Sequence, residues 1–287
     1  MQAATIAARP RRRAFRRIGL GDIGCALFLL LLVGSIAFGP ALSPYPATEF
    51  NPLHSLEAPS AAFPFGTDEF GRDVFSRVLT GARPTLLLAL GAAAAGVLLG
   101  TVTGLVAGYV SGVVDEVIMR IMDALMSFPG LILAMLVVVM LGPAPVNVVG
   151  AIALVFWPRS ARLVRSVVVD LARREFIEAA RSRGESRGFI LFRELLPNVM
   201  AIIVVDFSLR VTSGILLAAS LAYLGIGVTA PTPAWGLMVK DGQQFIELAP
   251  WLVVFPCAAI GLASVGTVWL GERLRHALAV PGGSTAR

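Results

Sequence analysis

Residues 86–110 read LLLALGAAAAGVLLGTVTGLVAGYV, without a single charged side chain. A helix crosses a bilayer with about 20 mostly apolar residues, because in hydrocarbon every backbone polar group must find its partner inside the segment. This stretch meets that requirement. Gly96, Gly100, Gly104 and Gly108 recur at every fourth place within it. They form a stripe of small residues suited to close helix contact. The spacing leaves open whether that contact is made within the chain or with another subunit.

Five further apolar runs flank this one, at residues 23–38, 126–141, 146–164, 199–224 and 251–270. The expectation is an all-α polytopic membrane protein with about six transmembrane helices. Composition agrees. Charged residues make up 15% of the chain, where a soluble domain carries roughly 25%, and the mean hydropathy is +0.80. One soluble core cannot bury that surplus.

Six crossings place both termini on one side, and positive charge chooses the side. Arg9, Arg11, Arg12, Arg13, Arg16 and Arg17 precede the first run. Arg165, Arg173, Arg174, Arg181, Arg183, Arg187 and Arg193 lie between the fourth and fifth, and Arg273 and Arg275 follow the sixth. Only Arg72, Arg77, Arg83 and Lys240 fall opposite. Both termini are therefore expected in the cytoplasm. The net charge of +6 reads as topology, not as a nucleic-acid surface. The expected organisation is a basic N-terminus at 1–20, a first transmembrane helix at 21–40 and an extracytoplasmic segment at 41–84. A transmembrane core follows at 85–270, holding a cytoplasmic loop at 165–198 and an extracytoplasmic loop at 225–249. A cytoplasmic tail occupies 271–287. The basic–apolar start imitates an export signal, but residues 39–43 offer no small-residue cleavage site. The first helix is expected to be retained.

Catalytic chemistry finds little footing. Cys25 and Cys257 lie in separate apolar runs, and His54 and His276 have no ligand set around them, so no metal or cofactor is expected. The single lysine, Lys240, is followed by Asp241, which excludes a Gly-Lys-Ser/Thr phosphate loop. Energy from ATP would have to come from other subunits, and the chain is read as a non-enzyme.

The loop at 165–198 carries the most informative pattern. Asp170 is read as an N-cap and Gly184 as the residue closing a helix of about three turns. Leu171, Ile177 and Ala180 fall on one stripe. Ala179 and Ala180 let another surface approach closely, and Glu178 and the arginines can fix register through charged hydrogen bonds. Phe189, Ile190, Phe192 and Leu196 offer packing, and Pro197 is expected to end the segment before the fifth span. The residues alone allow either a docking helix or a solvated loop helix.

Two charged groups complete the inventory. Asp206 and Arg210 sit four apart inside the fifth span, where charge is costly and faces a bundle interior or an aqueous path. They read either as a self-neutralising interface pair or as pathway residues. Near the end of the first extracytoplasmic segment, Asp68 and Asp73 can accept backbone hydrogen bonds at turns and helix starts, and Arg72 can bridge carboxylates. Their alternative role is contact with an external partner.

Glu178-Ala179-Ala180, then Gly184, then Leu196-Pro197, resembles the EAA signature of ABC importer permeases, with Glu194 standing where an apolar residue is common. Residues 65–77 (FGTDEFGRDVFSR), 119–123 (MRIMD), 128–130 (FPG), 220–227 (SLAYLGIG), 231–236 (PTPAWG), 249–251 (APW) and 271–275 (GERLR) resemble segments of the dipeptide/oligopeptide/nickel permeases, C-type subunit. The likeness implies a type I importer permease fold in the bacterial inner membrane, with the loop at 165–198 forming the coupling helix seated in an ATPase cleft. It also implies the partners: a homologous permease, two ABC ATPase subunits or one fused ATPase, an extracytoplasmic substrate-binding protein, and membrane lipid. Di- or oligopeptides are the implied cargo, with nickel and modified peptides as known exceptions. Two other classes compete: a self-sufficient carrier using Asp206 as a proton-linked carboxylate, and a non-transporting scaffold. Neither has a use for the EAA loop.

Overall fold

The computed structural model describes residues 20–278, with side chains from Leu30 to Arg275 together with Gly24, Leu27 and Phe28. The basic N-terminus expected at 1–20 (Leu20 apart), tail residues 279–287 and the side chains of Cys25 and His276 lie outside the described residues.

Helix α1 (Leu20–Leu42) leads into the segment 43–73. Then come α2 (Val74–Val110), α3 (Gly112–Met126), α4 (Gly130–Leu141) and α5 (Pro145–Leu171). The short α6 (Glu175–Ser182) precedes α7 (Arg187–Phe189), a π-helical turn (Ile190–Leu195) and α8 (Leu196–Tyr223). Helices α9 (Trp235–Gly242) and α10 (Trp251–Leu278) complete the order. Among the described residues the one extended pairing is an isolated bridge between Thr67 and Asp73.

Among the described residues three helices are long and apolar enough to cross a membrane: α2, the continuous rod Arg187–Tyr223 and α10. The bent pair α3–α4 passes the same test only when its two helices are taken together, as a broken span or a re-entrant loop. The third apolar run is thus not a straight span from residue 126. The two helices meet at 89°. Pro129 stands at the break, with no N–H to donate, and it pushes Phe128 away from helical geometry. The 12 residues of α4 reach only about 18 Å, short of a hydrocarbon core of about 30 Å. Helix α5 covers the fourth run, but Arg159, Arg162 and Arg165 make its second half polar.

Helix α2 is the spine, packed on α5, α8 and α1. The glycine stripe makes its contact inside the chain, against α5. A Cβ on Gly96 would stand 2.8 Å from Phe156 Cβ, on Gly104 2.6 Å from the Ala161 carbonyl, and on Gly108 2.8 Å from Val168 Cβ. Such close approach maximises van der Waals contact where lipid offers no hydrophobic driving force. Three apolar clusters follow along the spine. The first joins Val74, Leu86, Ile215, Trp235 and Leu252. The second joins Leu88, Val138, Ile152, Phe156 and Leu221. The third joins Leu105, Val164, Val168, Ile177, Ile190 and Leu195, and fixes the α6–α7 loop to the ends of α2 and α5.

Candidate functional site

Helix α6 is shorter than the three turns expected, for a local reason. Asp170 does not cap it: that residue still belongs to α5, whose apolar Val164 and Val168 hold the helix in the core through Leu171. The N-cap is Arg174, and its side chain makes no capping bond. Glu175 and Glu178 in the first turn and Arg181 in the last suit the helix dipole instead. Ile177 and Ala180 are both 0% exposed and anchor one face. Glu178 and Ala179 are exposed on the other, beside the partly exposed Phe176.

Gly184 ends the helix as the sequence indicates. Its φ of +76° is the left-handed conformation that glycine adopts without steric cost. Its N–H donates to the Arg181 carbonyl at 2.9 Å, and the Glu185 N–H donates to the Ala180 carbonyl at 3.2 Å. That bond pair is a Schellman cap. Arg183 then reaches Glu185 at 3.7 Å and Glu194 at 3.8 Å. Glu194, the departure from the resembled pattern, so ties the cap of α6 to the π-helical turn.

Pro197 does not end the segment. The helix runs without a break from Arg187 to Tyr223. Proline provides no N–H for the carbonyl four residues earlier and crowds it. The chain accommodates this by widening the preceding turn, Ile190–Leu195, into π geometry. Ser186 starts the rod, its Oγ accepting the Phe189 N–H at 3.2 Å. Leu195 is buried, Leu196 half-buried, and Pro197 exposed.

Asp206 is 2% exposed. Arg210 reaches one carboxylate oxygen at 2.9 Å, and Ser160 Oγ of α5 donates to the other at 2.5 Å. The pair is thus neutralised inside the chain, between α5 and α8. Residue reading found the i,i+4 pair but missed Ser160, since no local pattern joins a serine to an aspartate 46 positions on. It likewise missed two bridges from α3 to the polar half of α5. Arg165 meets Asp115, with Nη2 at 2.6 Å, and Arg162 meets Asp123.

The segment 43–73 closes over a buried charge cluster. Asp68 accepts the backbone N–H groups of Phe70 and Arg72, each at 3.0 Å, and Arg72 Nε at 2.6 Å. Arg72 also nears Glu69 at 3.6 Å, and Arg77 nears Asp68 at 3.4 Å. Asp73 caps α2, accepting the Ser76 N–H at 2.9 Å. Asp68, Arg72 and Asp73 are all nearly fully buried, so capping and bridging engage them in this conformation. Asp241 of α9 lines the same narrow cavity as Asp68, Glu69, Arg72 and Arg77. Burial raises the Glu69 carboxyl above its ordinary range against its backbone hydrogen bond and the attraction of Arg72. Burial raises Asp241 likewise, against the attraction of Arg77, Arg72 and Lys240. Trp235, at the start of α9, donates from Nε1 to the Val78 carbonyl at 2.9 Å. The start of α9 is so tied to α2. Among the described residues no group of His, Cys, Asp and Glu is arranged to hold a metal ion.

Comparison with known proteins places this architecture. Residues 96–279 match the family model of the binding-protein-dependent transport system inner membrane component. The chain is 42% identical over 272 residues to the dipeptide transport system permease protein DppC of Alkalihalophilus pseudofirmus, covering 94% of this chain and 89% of that one. It is 42% identical over 267 residues to the glutathione transport system permease protein GsiD of Escherichia coli O1:K1, covering 93% and 88%. The chain belongs to the binding-protein-dependent transport system inner membrane components, the membrane-embedded permease subunits of ABC importers.

Proposed function

We propose that this permease subunit imports di- or oligopeptides across a bacterial inner membrane, and that α6 is where force from separate ATPase subunits enters it. A homologous permease supplies the other half of the pathway. An extracytoplasmic binding protein delivers the cargo, and two ATPases, or one fused ATPase, bind on the cytoplasmic side. Six crossings with both termini in the cytoplasm fit the arginine distribution. The peptide assignment rests on relatives named for dipeptide and glutathione transport.

The observation that carries the coupling role is the two-faced mounting of α6. Its inner face, Ile177 and Ala180, is set in the cluster that holds Leu105 of α2, Val164 and Val168 of α5, and Val199 of α8. Its outer face, Glu178 and Ala179, is free for a partner. A push on the outer face is delivered to three long helices at once, through packed side chains with no slack. That is what a device switching a bistable bundle between two access states needs. Gly184 fixes the end of the lever, and Leu196 and Pro197 join it to α8. Asp206 and Arg210 serve as a clamp between α5 and α8 that keeps the two helices moving together.

The test is uptake of labelled di- and tripeptides into proteoliposomes holding the permease pair, ATPases and binding protein. Uptake that requires both ATP and binding protein is expected. Proton-driven uptake by this chain alone would overturn the reading.

A further inference from the structure

A cavity of about 400 Å³ opens beside the docking helix, lined by Tyr109, Val110, Arg181, Glu185, Arg187 and Ile190. It lies between the C-terminal end of α2 and the α6–α7 turn. Helix α2 is 37 residues long, about 55 Å, well beyond the hydrocarbon thickness of about 30 Å. With the buried charge cluster marking its external end, Tyr109 at the other end stands clear of the lipid. The Arg181 guanidinium lies over the Tyr109 ring at 5.1 Å. Among the described residues, neither Arg181 nor Arg187 forms an ion pair. The one carboxylate in the lining, Glu185, is engaged by Arg183 instead. The walls hold two guanidiniums outside any ion pair against that one carboxylate, a net charge of +1.

We propose that this cavity is an anion receptor for a carboxylate side chain of the ATPase subunit, which makes it a determinant of which ATPase the permease accepts. The inference rests on the docking role of α6. Arg181 belongs to α6 itself and is exposed on its flank, so a surface broad enough to seat α6 reaches this cavity. Covering an unpaired guanidinium strips its water without replacement, a cost that a docked surface meets only by bringing negative charge. Guanidinium suits that task because its planar fork can hold a carboxylate through two hydrogen bonds. The Tyr109 face keeps Arg181 extended over the cavity. A partner lacking an acid at this point would bury two bare cations and be rejected, which is specificity through penalty.

The test measures binding of the ATPase subunits to the permease pair in nanodiscs across a salt titration. Wild type is compared with Arg181→Ala, Arg187→Ala, both together, and Gly184→Pro as the probe of docking itself. The double variant is expected to weaken binding by at least about tenfold at low salt and to flatten the salt dependence. One ATPase carboxylate, changed to lysine, should reproduce the loss and be rescued by Arg187→Glu. Unchanged affinity and salt dependence in the double variant, while Gly184→Pro abolishes binding, would overturn the receptor and leave docking intact. Inorganic phosphate bound by wild type and lost from the double variant, with ATPase affinity unchanged, would assign the cavity to a free anion and also overturn it. Binding unaffected in every variant would remove the docking role, and the receptor with it.

Discussion

Ser160 of α5 donates its hydroxyl to the carboxylate of Asp206 in α8, and Gly100 of α2 is what brings it there. A Cβ on Gly100 would collide with the Ser160 side chain and stand 2.8 Å from the Ala161 nitrogen. Three helices thus meet at one glycine, one hydroxyl and one carboxylate. Arg210 completes the neutralisation from the other side.

Removing the carboxylate alone strands the guanidinium. Asp206→Ala is expected to destabilise the protein by about 3 kcal/mol, the cost typical of leaving a buried partner uncompensated. Asp206→Leu combined with Arg210→Leu should recover most of that loss. Thermal unfolding of the single and double variants in one detergent gives the coupling energy directly. Additive losses would show that the pair does not act as a unit.

Bulk on the glycine stripe is expected to separate α2 from α5. Gly100→Ala and Gly104→Ala should each cost about 1–3 kcal/mol through overpacking, because backbone atoms of α5 stand in the way. Gly150 in α5 has nothing within 4 Å of an added Cβ. Gly150→Ala should therefore leave stability unchanged or raise it by up to about 1 kcal/mol, glycine being a poor helix former. Equal melting temperatures for all three variants would contradict the packing account.

Acidity should favour the cluster around Asp68 and Arg72. The carboxyls of Glu69 and Asp241 titrate above their ordinary values of 4.5 and 3.8 because burial penalises the charged form. Each therefore holds its proton more tightly folded than unfolded. The stabilisation is complete below those ordinary values and is lost as pH rises through the raised ones. Melting at fixed ionic strength is expected to show this contribution falling away with rising pH. Glu69→Gln and Asp241→Asn should each flatten it, and a profile identical to wild type in both would refute the assignment.

Much of this architecture is legible along the chain. The uncharged run at 86–110 announces α2, the spacing of Gly96 to Gly108 announces a tight helix contact, and Gly184 announces a helix end. What escapes is what depends on distant partners. Four glycines on one face do not say which helix they face; the choice of α5 becomes visible only with Phe156, Ala161 and Val168 in place. Asp170 looks like a cap because aspartate often is one, yet burial of Val164 and Val168 carries α5 past it. Pro197 reads as a stop, but a π-helical turn absorbs it and the rod continues. Asp206 and Arg210 announce their own pairing through spacing, while Ser160 carries no signal at all.

Gly184 offers a graded probe of the lever. No atom lies within 4 Å of an added Cβ, so only its φ of +76° demands glycine. Gly184→Ala should cost about 1–2 kcal/mol and Gly184→Asn less, since asparagine tolerates this conformation. Hydrogen exchange at the amides of residue 184 and Glu185 should rise from wild type to Gly184→Asn to Gly184→Ala.

The most direct measurement of coupling is ATP hydrolysis by the reconstituted complex, with and without loaded binding protein, in wild type, Glu178→Arg and Gly184→Pro. Proline cannot adopt the φ at 184 and has no N–H for the Arg181 carbonyl, so the cap is lost. The account predicts strong stimulation in wild type and little in either variant, with membrane insertion and folding of the permease pair preserved. Stimulation that survives both substitutions would contradict it and place the coupling element elsewhere in the chain.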